Sequence, residues 1–334
     1  MPLDKYQSMR DFEKTAEPSG ASDATISEHE RSGKPRFVVQ EHHATALHWD
    51  FRLERDGVLV SWAVPKGIPP DPRVNNLAVH TEDHPLSYFD FAGEIPKGEY
   101  GGGMVHLWDQ GTYEELKWSD REVMVVLHGQ RARGQYVLFK TDGRNWMMHR
   151  MDPPEDPSRE LLPDAPRPVA PIEVPTLDDV PASSRFLVAW PRAERVAVAI
   201  EGGRCEAWRA DGKQVDDDWQ VLRPFGRAVG SLPVVLVGQL FKTKGTKKDP
   251  GTFMIDDVVW IDGHGTTPLP FETRRSLLER IELDGEAWKT APVYDDGPLL
   301  LDAARAQGWP GIYAIDAGAP FDDDHPPLFV PAGG

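Results

Sequence analysis

Cysteine is almost missing from this chain. Cys205 is the only one in 334 residues, which excludes an internal disulfide framework and any metal centre built on several thiolates. Long hydrophobic runs are missing as well, since no apolar stretch approaches the ~20 residues that a membrane-spanning helix needs. The opening Met1-Pro2-Leu3-Asp4-Lys5 lacks the basic-then-apolar pattern of a secretory leader. The expectation is therefore a cytoplasmic protein with no membrane partner. Positive charge is in deficit too. Lys and Arg number 37 against 54 Asp and Glu, a net charge of -17, the wrong sign for a surface that binds nucleic acid everywhere by releasing counter-ions from phosphates.

The deficit is uneven. Residues 1–150 hold 18 basic against 23 acidic residues, whereas residues 151–334 hold 19 against 31. The first half also carries nine of the 11 histidines, so ionisable chemistry is expected there, in a cleft that can still focus positive potential.

The length suits two domains with separate cores. Residues 1–36 are polar, with a turn signal at Glu17-Pro18-Ser19-Gly20, and read as an arm or short helix followed by loop. From residue 37 to 152, short apolar runs alternate with turns. Asp56-Gly57 reads as the turn of a hairpin, and further strands are expected at residues 77–80, 104–108, 123–128, 136–140 and 146–149. That spacing points to a β-barrel or sandwich. Residues 153–183 are dense in proline and acids, which stops a ladder or helix from running far, so they are expected to be an extended linker. Residues 184–318 mix strands (185–200, 205–208, 234–241, 253–261) with helices (272–282, 299–307) in α+β order. Residues 319–334 are expected to be a loose tail.

The most informative stretch is His48-Trp49-Asp50-Phe51-Arg52. In a strand, alternate side chains share a face, so imidazole, carboxylate and guanidinium point one way while Trp49, Phe51 and Leu53 point into a core. His42-His43 ends the apolar run before it, and Glu82-Asp83-His84 follows the later run Leu77-Ala78-Val79. Alternation lets only one of His42 and His43 face the same cleft.

Five blocks in order, Gln40 to His43, Leu47 to Glu54, Ser61 to Gly67, Glu82 to Leu86 and Ile95 to Gly101, resemble the 3'-phosphoesterase domain of the bacterial end-joining ligase D. The arm joins the resemblance through Arg10-Asp11-Phe12 and Glu17-Pro18. It implies a compact β-barrel that uses a divalent metal, manganese foremost with cobalt or zinc as alternatives, to trim DNA 3' ends. A terminal ribonucleoside and then a 3'-phosphate are removed, leaving a hydroxyl. His42, His48 and Asp50 are the implied metal ligands, with His42 favoured over His43. Arg52, His84 and Tyr88 are the implied phosphate contacts, Lys66 a further one, and Arg10, Asp11, Glu17 and Glu82 a supporting shell for the phosphomonoester step. The implied partners are DNA 3' ends, primer-templates with a 3'-phosphate or 3'-ribonucleotide, together with end-joining repair proteins at the nucleoid.

The chemistry of these residue types agrees. Two neutral imidazoles and a carboxylate suit manganese without excluding zinc or cobalt. A guanidinium grips phosphate with two donors. His84 is read either as a donor to phosphate or as the acid that protonates the departing oxygen. One departure stands out: family members commonly have a basic pair where this chain has Asn75-Asn76, and Arg73 is the nearby replacement on offer.

More faintly, residues 184–318 resemble the nucleotidyltransferase domain of an ATP-dependent DNA ligase. The nucleophile motif Lys-x-Asp-Gly is replaced by Ala189-Trp190-Pro191-Arg192, and the acidic and lysine motifs by Val237-Gly238-Gln239 and Pro310 to Ile315. Alanine cannot form a phosphoamide with AMP, so no ATP chemistry is expected there. The fold class expected overall is a β-rich, multidomain chain: a small β-barrel phosphoesterase domain followed by an α+β nucleotidyltransferase-like domain. Two other function classes compete with a 3'-phosphoesterase. A non-catalytic end-joining scaffold fits the motif-stripped second half, and a non-haem iron oxygenase shares the His-x-Asp and distant His pattern.

Overall fold

The computed structural model describes residues 3–20, 33–154, 156–215, 219–230, 232–242 and 249–333. Part of the expected arm, residues 21–32, lies outside the described residues. The chain divides into two units, Met1–Pro157 and Ser158–Gly334.

The first unit opens with helix α1 (Asp4–Ser8) and continues as strands β1 (Arg36–His43), β2 (Leu47–Arg55), β3 (Val58–Val64), β4 (Asn75–His80), β5 (Gly93–Ile95), β6 (Gly103–Trp118), β7 (Glu122–His128), β8 (Arg133–Asp142) and β9 (Asn145–Arg150). Neighbours run β1-β2-β3-β4-β9-β8-β7-β6, and β6 pairs back onto β1. Eight antiparallel strands thus close a barrel, which leaves no exposed edge. The pairing that closes it shifts register between Val39 and Gln40, a bulge of the kind that bends a sheet into a ring. Asp56 (φ 50°) and Gly57 (φ 81°) form the β2–β3 turn. Two consecutive positive φ values are what a two-residue hairpin with right-twisted strands requires.

Alternation along β1 and β2 sorts the side chains. Phe37, Val39, Trp49, Phe51 and Leu53 fill the barrel interior with Trp62, Tyr113 and Tyr136. Val38 faces outward and packs with Tyr6, Leu59, Tyr88, Phe89, Phe91, Ile95 and Val105 in a second apolar layer. The arm is therefore no separate appendage: Tyr6 is fully buried because its ring completes this layer. Gln40, His42, His48, Asp50 and Arg52 share the outward face and lie beside that layer.

The second unit holds two sheets. Strands β10 (Ile172–Glu173), β11 (Ser184–Ala189), β18 (Gly311–Asp316) and β19 (Leu328–Pro331) build one in the order β10-β19-β18-β11. The other, in the order β13-β12-β14-β15-β16, contains β12 (Glu194–Glu201), β13 (Arg204–Arg209), β14 (Val234–Phe241), β15 (Thr252–Ile261) and β16 (His264–Gly265), with β17 (Trp288–Thr290) beside β15. Helices α2 (Leu222–Val229), α3 (Phe271–Glu279) and α4 (Gly297–Gln307) accompany them.

Several expectations need correction here. The tail expected to be loose at 319–334 is ordered over its described residues 319–333: β19 lies between β10 and β18, and Val330 is buried. Pro326, Pro327 and Pro331 sit at the ends of β19, where missing donors cost little. Nor is the proline-rich segment 153–183 wholly an extended linker. It contributes β10 and a short 3-10 turn, Leu177–Asp179, capped by Thr176, and the division of units falls at Pro157. The continuous strand expected over 185–200 is broken at Trp190-Pro191-Arg192, where Arg192 takes φ 56°. Helix α3 stops at Glu279, short of the expected Glu282, which itself adopts φ 54°. Helix α2 was not expected, because Pro224 and Gly226 depress helix propensity; Gly226 is needed since a Cβ there would meet the Gly203 carbonyl at 2.6 Å and Cys205 Sγ at 2.8 Å.

Candidate metal centre and the network around it

The register sets His42 directly opposite His48, and Gln40 opposite Asp50. Their outward side chains meet. The ring centroids of His42 and His48 are 4.7 Å apart, and one ligand atom from each of His42, His48 and Asp50 falls within 4.8 Å of the others. Among the described residues this is the one cluster of His, Cys, Asp and Glu with metal-ligand geometry.

The proton positions follow from the acceptors. His42 Nε2 lies 2.7 Å from the Gly101 carbonyl, and His48 Nδ1 lies 3.0 Å from the Ala46 carbonyl. A carbonyl only accepts, so each of these nitrogens carries the N–H. The opposite nitrogens then turn lone pairs toward one carboxylate: His42 Nδ1 is 3.4 Å from Asp50 Oδ2, and His48 Nε2 is 3.7 Å from Asp50 Oδ1. Lone pairs facing an anion repel unless a cation sits between them, a proton or a metal ion. Backbone carbonyls that fix the far N–H of both rings are the usual outer support of metal-binding histidines. Burial pushes the Asp50 carboxyl up, but Arg52, joined by the two imidazoles whenever they carry a second proton, outweighs it and holds the group well below the usual carboxylate range. The donor set therefore fits a divalent ion of intermediate softness. His43, by contrast, turns to Glu41 at 2.7 Å and packs its ring edge against His106.

Arg52 is buried and most of its donors are engaged. Its Nε donates to Gln40 Oε1 (2.8 Å), Nη1 to Ser61 Oγ (2.8 Å), and Nη2 lies 3.0 Å from Asp50 Oδ2. His84 Nδ1 sits 2.9 Å from Arg52 Nη1 and 2.9 Å from the Glu82 carbonyl, while Arg10 Nη2 approaches His84 Nε2 at 3.2 Å. Burial, and then the guanidiniums of Arg52 and Arg10, push the His84 pKa well down, so its imidazole is neutral. Burial also pushes the Tyr88 hydroxyl well up. It keeps its proton and donates it to Glu17 Oε1 at 3.1 Å. Glu17 accepts from Arg10 Nε (2.8 Å) and Thr15 Oγ1 (3.0 Å), and Glu82 lies 3.5 Å from Arg10 Nη1.

Nine of the residues singled out from sequence thus converge: His42, His48, Asp50, Arg52, His84, Tyr88, Arg10, Glu17 and Glu82. Asp11 does not join them. Its carboxylate pairs with Lys14 at 2.6 Å on the surface. Lys66 stands exposed on the turn after β3, and Asn76 holds that turn by donating to the Gly67 carbonyl at 2.8 Å. Arg73 is committed to a two-point pair with Asp71 (2.8 and 2.6 Å) instead of replacing a basic pair at 75–76.

Four residues of the network escaped the sequence reading of roles. Gln40 is fully buried, accepts from Arg52 and donates to the Tyr88 and Phe91 carbonyls. Its place on the His42 face was the available signal. Ser61 lies opposite Arg52 in register, as the hairpin turn implied. Tyr6, whose ring is 5.0 Å from that of His84, arrives from a segment that carried no such signal, and Gly101 closes a block that marked the resemblance without showing that its carbonyl meets His42.

In the second unit many of the corresponding polar atoms are spent on neighbours, although Arg195 Nε and Arg275 Nε are buried without a hydrogen-bond partner among the described residues. Ala189 is buried at the end of β11. Gln239 accepts from the Trp190 amide (3.1 Å) and donates to the Val188 carbonyl (3.0 Å). Trp190 stacks on Phe241 with ring centroids 4.9 Å apart. Asp256 pairs with Arg195 at 2.7 Å and Asp257 with Arg274 at 2.8 Å. No helix among the described residues is long and apolar enough to cross a membrane.

Residues 40–140 match the family model of the DNA Ligase D 3'-phosphoesterase domain. The multifunctional non-homologous end joining protein LigD of Mycolicibacterium smegmatis is 33% identical over 339 residues, covering 93% of this chain and 43% of the relative. The LigD of Mycobacterium bovis is 35% identical over 331 residues, with 93% and 42% covered. The Pseudomonas aeruginosa protein of that description is 46% identical over 149 residues, 43% of this chain and 17% of the relative. Both units fall within the mycobacterial alignments, and the chain spans less than half the length of those relatives. A mycobacterial DNA ligase D structure with ATP and MES superposes at TM-score 0.42 and 17% identity over 50% of this chain and 59% of that one.

Proposed function

We propose that this chain, whose residues 40–140 belong to the DNA ligase D 3'-phosphoesterase domain family, is a metal-dependent enzyme that trims DNA 3' ends for end joining. It removes a 3'-phosphate or a 3'-terminal ribonucleoside and leaves a hydroxyl. One observation carries the reading: two imidazole lone pairs, their far N–H groups fixed by the Gly101 and Ala46 carbonyls, converge on the Asp50 carboxylate. His42, His48 and Asp50 would hold a divalent ion, manganese foremost, with cobalt or zinc also matching the donors. Such an ion, when bound, polarises a phosphoryl oxygen and lowers the pKa of water beside it.

The chain's own groups do the rest. Arg52, pinned by Gln40 and Ser61, keeps a fixed positive charge at the edge of the centre, where it offsets charge gathering on the phosphoryl oxygens. Tyr88 retains its proton; it donates that proton to Glu17, and contact with a phosphate oxygen would require the hydroxyl to exchange this partner for the phosphate. His84 is neutral between two guanidiniums, which favours a positioning role over that of an imidazolium acid. Glu17 and Glu82 orient Arg10, and through it the far side of His84.

For residues 184–318 we propose folding without ATP chemistry. Ala189 offers no nucleophile, and Gln239 spends its amide on the backbone. Its excess of acids suits an end-joining protein partner better than a duplex.

The test is release of inorganic phosphate from a primer-template ending in a 3'-phosphate, with and without manganese. Release should require the metal and should vanish in His48→Ala. If the wild type released nothing while wild type and variant bound ends equally, the chain would be an end-joining scaffold instead.

A further inference from the structure

Many cations in this acidic chain are spent on a neighbouring acid, among them Arg55, Arg73, Lys117 and Arg209. Three that are not lie together. Lys5, Lys140 and Arg144 are exposed, and none of them enters an ion pair among the described residues. They come from three separate elements. Lys5 belongs to α1 beside Tyr6, whose ring meets His84. Lys140 lies opposite Trp146 in the β8–β9 pairing. Arg144 sits in the turn between those strands, where its carbonyl accepts the His80 amide at 2.8 Å.

His80 is the point they surround. Its ring stacks with Trp146 (6.3 Å) and meets Trp62 edge-on (5.3 Å). Burial, then Lys140, Lys5 and Arg144 in that order, lower its pKa, so three positive charges act on one imidazole with no carboxylate offsetting them. The same Arg144 acts on the hydroxyl of Tyr100, as do Arg10, Glu82 and Asp50. Tyr100 is 46% exposed and lies next to Gly101, whose carbonyl orients His42. Arg144 thus acts on a side chain at the rim of the metal centre.

We propose that Lys5, Lys140 and Arg144 form a backbone subsite that holds the phosphodiesters leading up to the 3' end in the centre. This rests on the phosphoesterase reading and names where the substrate strand runs. It also accounts for Asn75-Asn76: with Arg73 locked onto Asp71 and Asn76 holding the 66–67 turn, the cations are supplied from α1 and the β8–β9 hairpin. A single strand fits, because three phosphate contacts on one chain are enough to direct it without requiring a basic surface elsewhere.

The experiment measures binding of a fluorescein-labelled 12-nucleotide DNA strand with a 3'-hydroxyl by anisotropy across a NaCl series, using the full chain. The Lys140→Gln/Arg144→Gln variant should bind more weakly, and its slope of log affinity against log salt should be shallower by ~1.4, since each lost contact to a single strand removes ~0.7. Adding Lys5→Gln should remove a further ~0.7. Phosphate release from a 3'-phosphorylated 12-mer should show raised KM with little change in kcat. An unchanged slope overturns the subsite while leaving the phosphoesterase reading intact. A fall in kcat as large as the rise in KM also overturns it, because the cations would then act on the reacting phosphate. Manganese-dependent release by the wild type from a dinucleotide with a 3'-phosphate tests the parent reading alone; its absence on both substrates sinks both.

Discussion

Asp50 and Asp257 are both buried aspartates in β-strands, and each meets an arginine, yet their surroundings differ in kind. Asp257 is saturated: Arg274 Nε reaches both its oxygens at 3.0 Å, Nη2 adds a contact at 2.8 Å, and the Val258 amide donates to Oδ1. Asp50 receives a single guanidinium nitrogen at 3.0 Å and faces two imidazole lone pairs. One arrangement is complete as folded. The other is complete only with a further cation. Asp256, paired with Arg195 at 2.7 Å, is enclosed as well, and burial pushes its carboxyl up in spite of Arg195 and Arg275. Residue types alone do not mark a site. What marks it is donor and acceptor capacity left over after the protein's own bonds are counted.

The comparison can be broken from either side. The largest effect is expected from Arg52→Lys. A lysine cannot reach Gln40, Ser61 and Asp50 together, so kcat/KM for 3'-phosphate release should fall by about a thousandfold, with a smaller loss of stability. Arg274→Met should do the reverse. It strands a buried carboxylate and should cost about 3–5 kcal/mol of second-unit stability in urea unfolding, while 3'-phosphate release stays at the wild-type rate; a parallel loss of activity would contradict the division. Next comes Gly101→Ala. The backbone there takes φ 76°, and a Cβ would lie 3.6 Å from His42 Cε1, so shifting the carbonyl that orients His42 should weaken manganese binding by about 10–100-fold. The smallest signal is a reporter. Burial of its sulfur pushes the Cys205 thiol up to about 12, although the residue is only half-buried, so a thiol reagent at neutral pH should label the folded chain much more slowly than the unfolded one. Rapid labelling of the folded chain would show that this packing is wrong.

Much of the first unit was legible from sequence because its signals are local. The two-residue period of β1 and β2 fixed which side chains share a face, and Asp56-Gly57 named the hairpin that sets Ser61 opposite Arg52. What alternation cannot carry is long-range closure. The β1–β6 pairing, the folding of Tyr6 and Arg10 over His84, and the arrival of Gly101 at His42 all join segments far apart in the chain. Asp11 is a related case: the resemblance implies a supporting role for it, while the turn at 11–14 directs its carboxylate to Lys14. In the second unit, short strands such as β10 and β19 gain their stability from one another across some 150 residues, and proline-rich flanks hid them.

The central claim is that His42, His48 and Asp50 enclose one divalent ion. Titration of the full chain with manganese, reading the free aquo-ion signal by electron paramagnetic resonance, tests it without reference to substrate. A single saturable site should appear in the wild type and be lost in His42→Ala and in His48→Ala, both otherwise folded by circular dichroism. Equal binding by wild type and variants, or no binding by the wild type, would contradict the account.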